Sequence, residues 1–309
     1  MAMGNTIIII VLPLIRILGR WNMHMADALL SPAVGGTMWA ASSGAIAYCS
    51  AKVRKELDDR KVPLMGVLGA FLFAAQMINF SIPGTGSSGH LGGGLLLTIL
   101  LGPHAAFLTI ASVLIVQALF FADGGLLALG CNIFNLGFFP AFVAYPYIYK
   151  KISGERPCQA RITVAAVAAA FAGLALGAFA VVLETVSSGI TSLPFSTFVV
   201  LMLPIHLAIG IVEGIVTAAV VSFVYKARPE ILQGAIEARP VAGHPLRNVL
   251  LAFLAAAILT GGVVSWFASG DPDGLEWSIA KVTGKGELNR PEHGIHGLLA
   301  VLQEKIAFL

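Results

Sequence analysis

Apolar residues run in long blocks along this chain, separated by short polar connections. Most blocks approach the ~20 residues that carry an α-helix across the hydrocarbon core of a bilayer. They fall at roughly 33–51, 63–79, 104–121, 126–149, 162–187, 197–226 and 247–268. One further block, 90–101, is too short for a full crossing. None alternates strictly between apolar and polar, so helices are predicted rather than the strands of a barrel. The expected fold is all-α: a polytopic integral membrane bundle of about seven to eight transmembrane helices, one of them short or broken.

The polar connections orient the blocks. AKVRKELDDRK at 51–61 holds five basic residues and is expected on the cytoplasmic side, as are the basic connections at 149–161 and 225–247. SIPGTGSSG at 81–89 has no Lys or Arg and belongs on the other side. An odd number of crossings must therefore separate residue 90 from the connection at 149. A single helix over 90–121 fails this test, whereas a break at Leu101-Gly102-Pro103 satisfies it. Proline is well tolerated at the first position of a new helix. The shortened piece then begins below the outer surface, which puts His90 in a depression. The same parity puts Met23-His24 outside.

Composition agrees with a membrane protein. Of 309 residues, 57% are hydrophobic and 11% charged, against about 25% charged in soluble domains. Mean hydropathy is +0.88. The net charge of +3 sits in membrane-flanking connections and does not point to nucleic acid. Cys49, Cys131 and Cys158 have neither metal nor disulfide spacing and are expected as small packing residues. Gly173-xxx-Gly177 and Ala41-xxx-Ala45 let helices approach closely, within this chain or against another membrane protein. No G-x-x-x-x-G-K-[ST] loop exists, because Ile279 stands where Gly284-Lys285 would need its first glycine. H-E-x-x-H and G-x-S-x-G are also missing from the sequence.

The chemistry concentrates in two places. Residues 1–22 lack a basic start and a small-residue cleavage site, which sets them apart from a standard signal peptide. Met23 is expected to be the true first residue, the alternative being an atypical leader. A free amine at Met23, the next backbone nitrogen and the His24 imidazole can then close adjacent chelate rings on one metal. Nitrogen-only, tetragonal coordination suits Ni(II) or Cu(II). His90 is the natural fourth ligand, and its neighbouring glycines allow non-helical backbone at membrane depth where a cavity is lined.

Other polar residues have two readings each. Gln76, Asn79, Asn132 and Asn135 either orient a histidine ligand or join helices by hydrogen bonds. Asp123 either forms the turn before Gly124-Gly125 or supports the metal. His206 and Glu213 lie two turns apart on one helical face. They make a structural pair or, in a rival reading, the centre of a membrane-embedded zinc enzyme. His293 and His296 are expected in a solvated tail.

MHMADALLSP (23–32), SGHLGGG (88–94) and FADGGLLALGCNIFN (121–135) together resemble the CbiM/NikM family. These are substrate-binding membrane components of energy-coupling factor transporters for cobalt and nickel. The resemblance implies a core over 23–228 that imports Co(II) or Ni(II), bound near the outer face by Met23, His24 and His90. It also implies a CbiQ-like coupling protein, CbiO-like ATPases and a CbiN-like small subunit as partners, in a bacterial or archaeal cytoplasmic membrane. No prosthetic group is implied. GDPDGLEW at 270–277 is similar to the PDGLE segment of CbiN/NikN subunits. Residues 229–309 would then hold a cytoplasmic loop, an extra transmembrane helix and an extracytoplasmic accessory segment. The end, 293–309, reads as an incomplete span or an interfacial helix.

Overall fold

The computed structural model describes residues 24–55, 61–154, 158–191, 193–228, 231–232, 247–284 and 294–307. Met23, the segment 1–22 and His293 lie outside the described residues.

The described chain is mostly helical. It begins with a single tight turn at Asp27–Leu29, followed by α1 (Pro32–Lys55) and α2 (Lys61–Gln76). A short antiparallel hairpin comes next, β1 (Phe80–Ile82) against β2 (Ser87–Gly89), with Ser81 opposite Ser88. The polar connection at 81–89 thus takes part in the only strand pair among the described residues. The bundle continues with α3 (Gly94–Leu101), α4 (Pro103–Phe120), α5 (129–153), α6 (Gln159–Ser188) and α7 (Phe195–Ala227). The C-terminal part adds α8 (Arg247–Gly262), α9 (Gly274–Thr283) and α10 (Gly294–Ile306).

The break anticipated at 101–103 is present. Gly102 takes φ 79°, ψ 162°, and Pro103 opens α4. By rise per residue α3 is about 12 Å long and α4 about 27 Å. The two share the Gly102 turn, so α3 starts roughly 15 Å short of the far end of α4. The non-helical run 90–93 occupies the space this leaves, and every residue of α3 is buried.

Other boundaries differ from the sequence reading. The block at 126–149 becomes helical only at Leu129, and Phe134–Tyr149 winds as a wide π-helix around Pro140 and Pro146. Neither proline has an amide to donate, so the regular ladder cannot continue through them. The block at 247–268 forms helix only to Gly262 before a tight turn at Val264–Phe267. Three described helices are long and apolar enough to cross a membrane: α4, α6 and α7; α2 and α8 are shorter apolar helices.

Small residues set the packing. A Cβ on Gly210 would lie 2.8 Å from Phe171 Cα, and one on Gly214 only 2.5 Å from Val167 Cα, so α6 and α7 meet backbone to backbone. Gly173 and Gly177 face Ala144 and Asn135 of α5, which makes their motif an internal packing device. Leu68, Leu72, Leu95, Leu97, Phe107 and Ile110 fill the main core. A second cluster joins Met25, Leu29 and Leu30 to Val182, Phe198, Met202 and Ile279. That cluster fastens the N-terminal segment to α6, α7 and α9.

Candidate metal centre

The N-terminal segment is laid along the start of α5 and the stretch before it by side-chain and main-chain hydrogen bonds. The Met25 amide donates to Asn132 Oδ1 at 3.2 Å, and Asn132 Nδ2 donates to the Met25 carbonyl at 3.2 Å. The same carbonyl accepts from the Gly125 amide at 3.0 Å. Asp27 Oδ1 accepts from the Ala128 amide at 3.0 Å. Asn132 thus pairs with Met25 as a neighbouring strand would.

This lattice fixes His24, which is 5% exposed. Its Nδ1 lies 2.9 Å from Asp123 Oδ2. Its Nε2 is buried with no hydrogen-bond partner among the described residues. Asp123 follows Ala122, whose φ of 52° is the only positive value at a non-glycine residue among those described. An L-residue in that region costs about 1–2 kcal/mol. The strain is local to the turn that carries Asp123, whose own amide donates to the Gln117 carbonyl at 3.1 Å.

His90 arrives from the opposite direction, directly after β2. Its Nδ1 lies 3.2 Å from the Leu91 carbonyl, so Nδ1 carries the proton and the lone pair sits on Nε2. The His24 and His90 ring centroids are 5.2 Å apart, with planes tilted by 53°. A metal bonded to an imidazole nitrogen at about 2.0 Å stands about 3.2 Å from the ring centroid. Two rings at the observed spacing can therefore share one ion as adjacent ligands.

The glycines after His90 are there for close approach. Gly93 has φ +71°, and a Cβ on it would overlap Leu72 Cδ1. Gln76 Nε2 donates to the Gly92 carbonyl at 2.9 Å, and Gln117 Nε2 donates to Gln76 Oε1 at 3.1 Å. The Gly92 amide donates to Glu213 Oε2 at 2.7 Å. His206 is not paired with Glu213; its Nδ1 bonds the Met202 carbonyl at 2.9 Å. A cavity of about 90 Å³ runs from His24 and His90 past Asn135 and Leu136 to His206 and Glu213.

The C-terminal segment covers this region. The Ser88 amide donates to the Pro272 carbonyl at 2.7 Å, the Ser269 amide to the Asn79 carbonyl at 2.7 Å, and Trp277 Nε1 to the Thr85 carbonyl at 3.0 Å. Asp273 caps α9 through the Glu276 amide at 2.7 Å and lines the cavity. Burial, reinforced by the charge of Asp123, pushes the Asp273 carboxyl up to about 7. In α10, His296 Nε2 bonds the Leu30 carbonyl at 2.8 Å. Gln303 Nε2 donates to the carbonyls of Ala118 at 2.9 Å and Gly124 at 2.8 Å. The tail containing His296 is therefore docked rather than solvated, because its buried polar side chains find main-chain acceptors around the site.

The candidate residues sort accordingly. His24 and His90 converge, Asp123 holds His24, Asn132 holds Met25 and Gln76 holds Gly92. Asn79 contributes its carbonyl to the C-terminal segment, and Asn135 donates to Glu184 at 2.9 Å instead of orienting a histidine. Glu184, and Glu213 as an anchor of the glycine loop, were missed; a lone carboxylate in an apolar helix was their signal. No group of three or more His, Cys, Asp or Glu side chains among the described residues is placed to hold a metal.

Residues 24–231 match the family described as the cobalt uptake substrate-specific transmembrane region, CbiM. The chain belongs to the CbiM family. Residues 247–309 match the PDGLE domain, so this CbiM chain carries a NikN-like segment at its C-terminus. Over 241 residues, 77% of this chain and 76% of the relative, it is 36% identical to an Archaeoglobus fulgidus protein assigned as a fused nickel transport protein, NikMN. It is 31% identical to the cobalt transport protein CbiM of Sorangium cellulosum, over 68% of this chain and 94% of that one. A crystal structure of a truncated transition metal transporter superposes with a TM-score of 0.59 at 31% identity, covering 66% of this chain and 99% of the other. Family and apolar helices together make this a membrane protein of the cobalt and nickel transport class. Its relatives are named as transport proteins, not enzymes, so the zinc-enzyme reading of His206 and Glu213 falls away.

Proposed function

We propose that this CbiM chain is the substrate-specific membrane component of an energy-coupling factor importer for divalent cobalt or nickel. The ion binds at the extracytoplasmic end, held by the Met23 amine, the His24 backbone nitrogen and imidazole, and the His90 imidazole. The observation that carries this reading is the 5.2 Å approach of two histidine rings that are 66 positions apart in the chain.

A chelate closed through the backbone nitrogen of His24 takes the imidazole through Nδ1, the nitrogen nearer the main chain. That nitrogen bonds Asp123 here, so loading by this route exchanges the Asp123 bond for the ion. The displaced carboxylate stays beside the site and offsets the charge of the ion. Asn132 holds the adjoining Met25 peptide while this happens. Nitrogen donors discriminate against Mg(II) and Ca(II), which prefer oxygen. A multi-pass bundle of seven to eight spans in the cytoplasmic membrane, about 20 residues each, accommodates the helices and the blocks between them. A CbiQ-like coupling protein and CbiO-like ATPases supply the energy, in keeping with a sequence that has no phosphate-binding loop.

The test is metal uptake by cells expressing this chain with and without ATPase and coupling partners, beside equilibrium binding by the purified protein. His24→Ala and His90→Ala are each expected to abolish high-affinity Ni(II) or Co(II) binding. Retention of wild-type binding by either variant refutes the site.

A further inference from the structure

Glu213 is 3% exposed in the middle of α7, and no salt-bridge partner for it exists among the described residues. A carboxylate inside an apolar bundle is costly and calls for an explanation. Its bonding supplies one. Oε2 takes the Gly92 amide at 2.7 Å, and the Gly93 amide is also directed to the carboxylate. Gly93 is left-handed, so two successive amides converge on one oxygen-bearing group, as in an anion-binding nest. A Cβ on Gly92 would lie 3.1 Å from the same Oε2, so a side chain there would press on the carboxylate. Gly210 and Gly214, flanking Glu213, lock α7 against the backbone of α6 and fix the height of the carboxylate.

The other face of the same peptide is held independently. Gln76 of α2 grips the Gly92 carbonyl, and Gln117 of α4 grips Gln76. The Gln117 carbonyl in turn receives the Asp123 amide, and Asp123 bonds His24. One hydrogen-bonded line therefore runs from Glu213 through Gly92, Gln76 and Gln117 to the turn that holds the first histidine. Gly92 is two residues from the second.

We infer that Glu213 and Gln76 clamp the Gly92 peptide from opposite sides and are positioning residues for His90. They set where its imidazole meets the ion without touching the ion themselves. This rests on the reading of His24 and His90 as metal ligands. Without the clamp the peptide two residues from His90 would lose its hydrogen-bond partners on both faces, and His90 would sample positions that its partner ligands cannot meet.

The test is Ni(II) titration of the purified full chain with its native amino terminus, following the d–d absorption band together with thermal melting. Glu213→Met, which keeps the size and removes both acceptor oxygens, is expected to bind Ni(II) about 10- to 100-fold more weakly, the usual cost of losing an outer hydrogen-bond partner of a ligand. The absorption band should shift, since the ligand field changes when His90 is displaced; a purely structural role would lower melting and leave the band in place. Gln76→Met removes the grip on the other side and is expected to act the same way, so the idea stays testable if Glu213→Met does not fold. Wild-type affinity and an unshifted band in these variants, with binding lost in His90→Ala, overturn the clamp alone. Wild-type binding by His90→Ala overturns the metal-site reading and the clamp with it.

Discussion

Gly93→Ala is the most informative single perturbation of the loop that carries His90. Two costs act at once. The residue is held at φ +71°, where an L-residue costs about 1–2 kcal/mol. The new methyl would also overlap Leu72 Cδ1 in a core where Leu72 is 1% exposed, and overpacking adds about 1–3 kcal/mol. The sum is about 2–5 kcal/mol of destabilisation, centred three residues from His90. The steric part can be isolated, because Leu72→Ala removes the obstructing side chain. Leu72→Ala alone should cost about 2–5 kcal/mol as a cavity. In its background the added methyl should lose its clash and keep only the backbone term. The double variant is then more stable than the sum of the singles predicts, by about 1–3 kcal/mol. Thermal melting in detergent gives the stability cycle, and Ni(II) titration should show weakened binding in Gly93→Ala that is partly restored in the double variant. Strict additivity of the two substitutions, or wild-type melting and affinity in Gly93→Ala, would refute the close approach of the loop to α2.

Three further outcomes are expected. Asn132→Leu leaves the Met25 amide without a partner, at about 1–3 kcal/mol, while the Met25 carbonyl keeps the Gly125 amide, and the change should weaken metal binding along with melting temperature. Gln303→Ala removes the donor to Ala118 and Gly124, so limited proteolysis should cut the C-terminal helix faster while the bundle core stays protected. Asp273 titrates near 7 in the fold against an ordinary 3.8, so the folded form binds the extra proton between those values. Docking of α9 should therefore be strongest below about pH 4 and weaken as pH rises toward 7. Asp273→Asn, which keeps a capping acceptor, should flatten that dependence in melting curves recorded across this range.

Much of the site was legible because it depends on covalent order and parity. The break at Gly102-Pro103 follows from orienting the basic connections, and the fold has it. The two histidines stand out because one precedes a long helix, the other sits among glycines, and parity expects both on one side; the fold brings their rings together. What could not be read was pairing across the chain. Asp123 before Gly124-Gly125 looks like a turn residue in any sequence, and only the fold shows that its carboxylate reaches His24. Glu213 looked like a partner for His206 because seven positions share a helical face, but the glycine loop lies closer than the histidine. The tail at 294–306 carries Gln303, Glu304 and Lys305 and so read as solvated or interfacial. Its Gln303 is buried, because the turn at Gly124 offers carbonyls that no helix satisfies.

The central claim is that a free amine at Met23 is one of the ligands. It is tested most directly by comparing Ni(II) affinity of protein whose chain starts at Met23 with that of protein carrying a single alanine ahead of Met23. The extension moves the amine out of the chelate without changing any described side chain. Binding of one ion by the first form and loss of high-affinity binding by the second is the predicted result. Equal affinity in the two forms would contradict the chelate and leave the two imidazoles without the main-chain ligands this account requires.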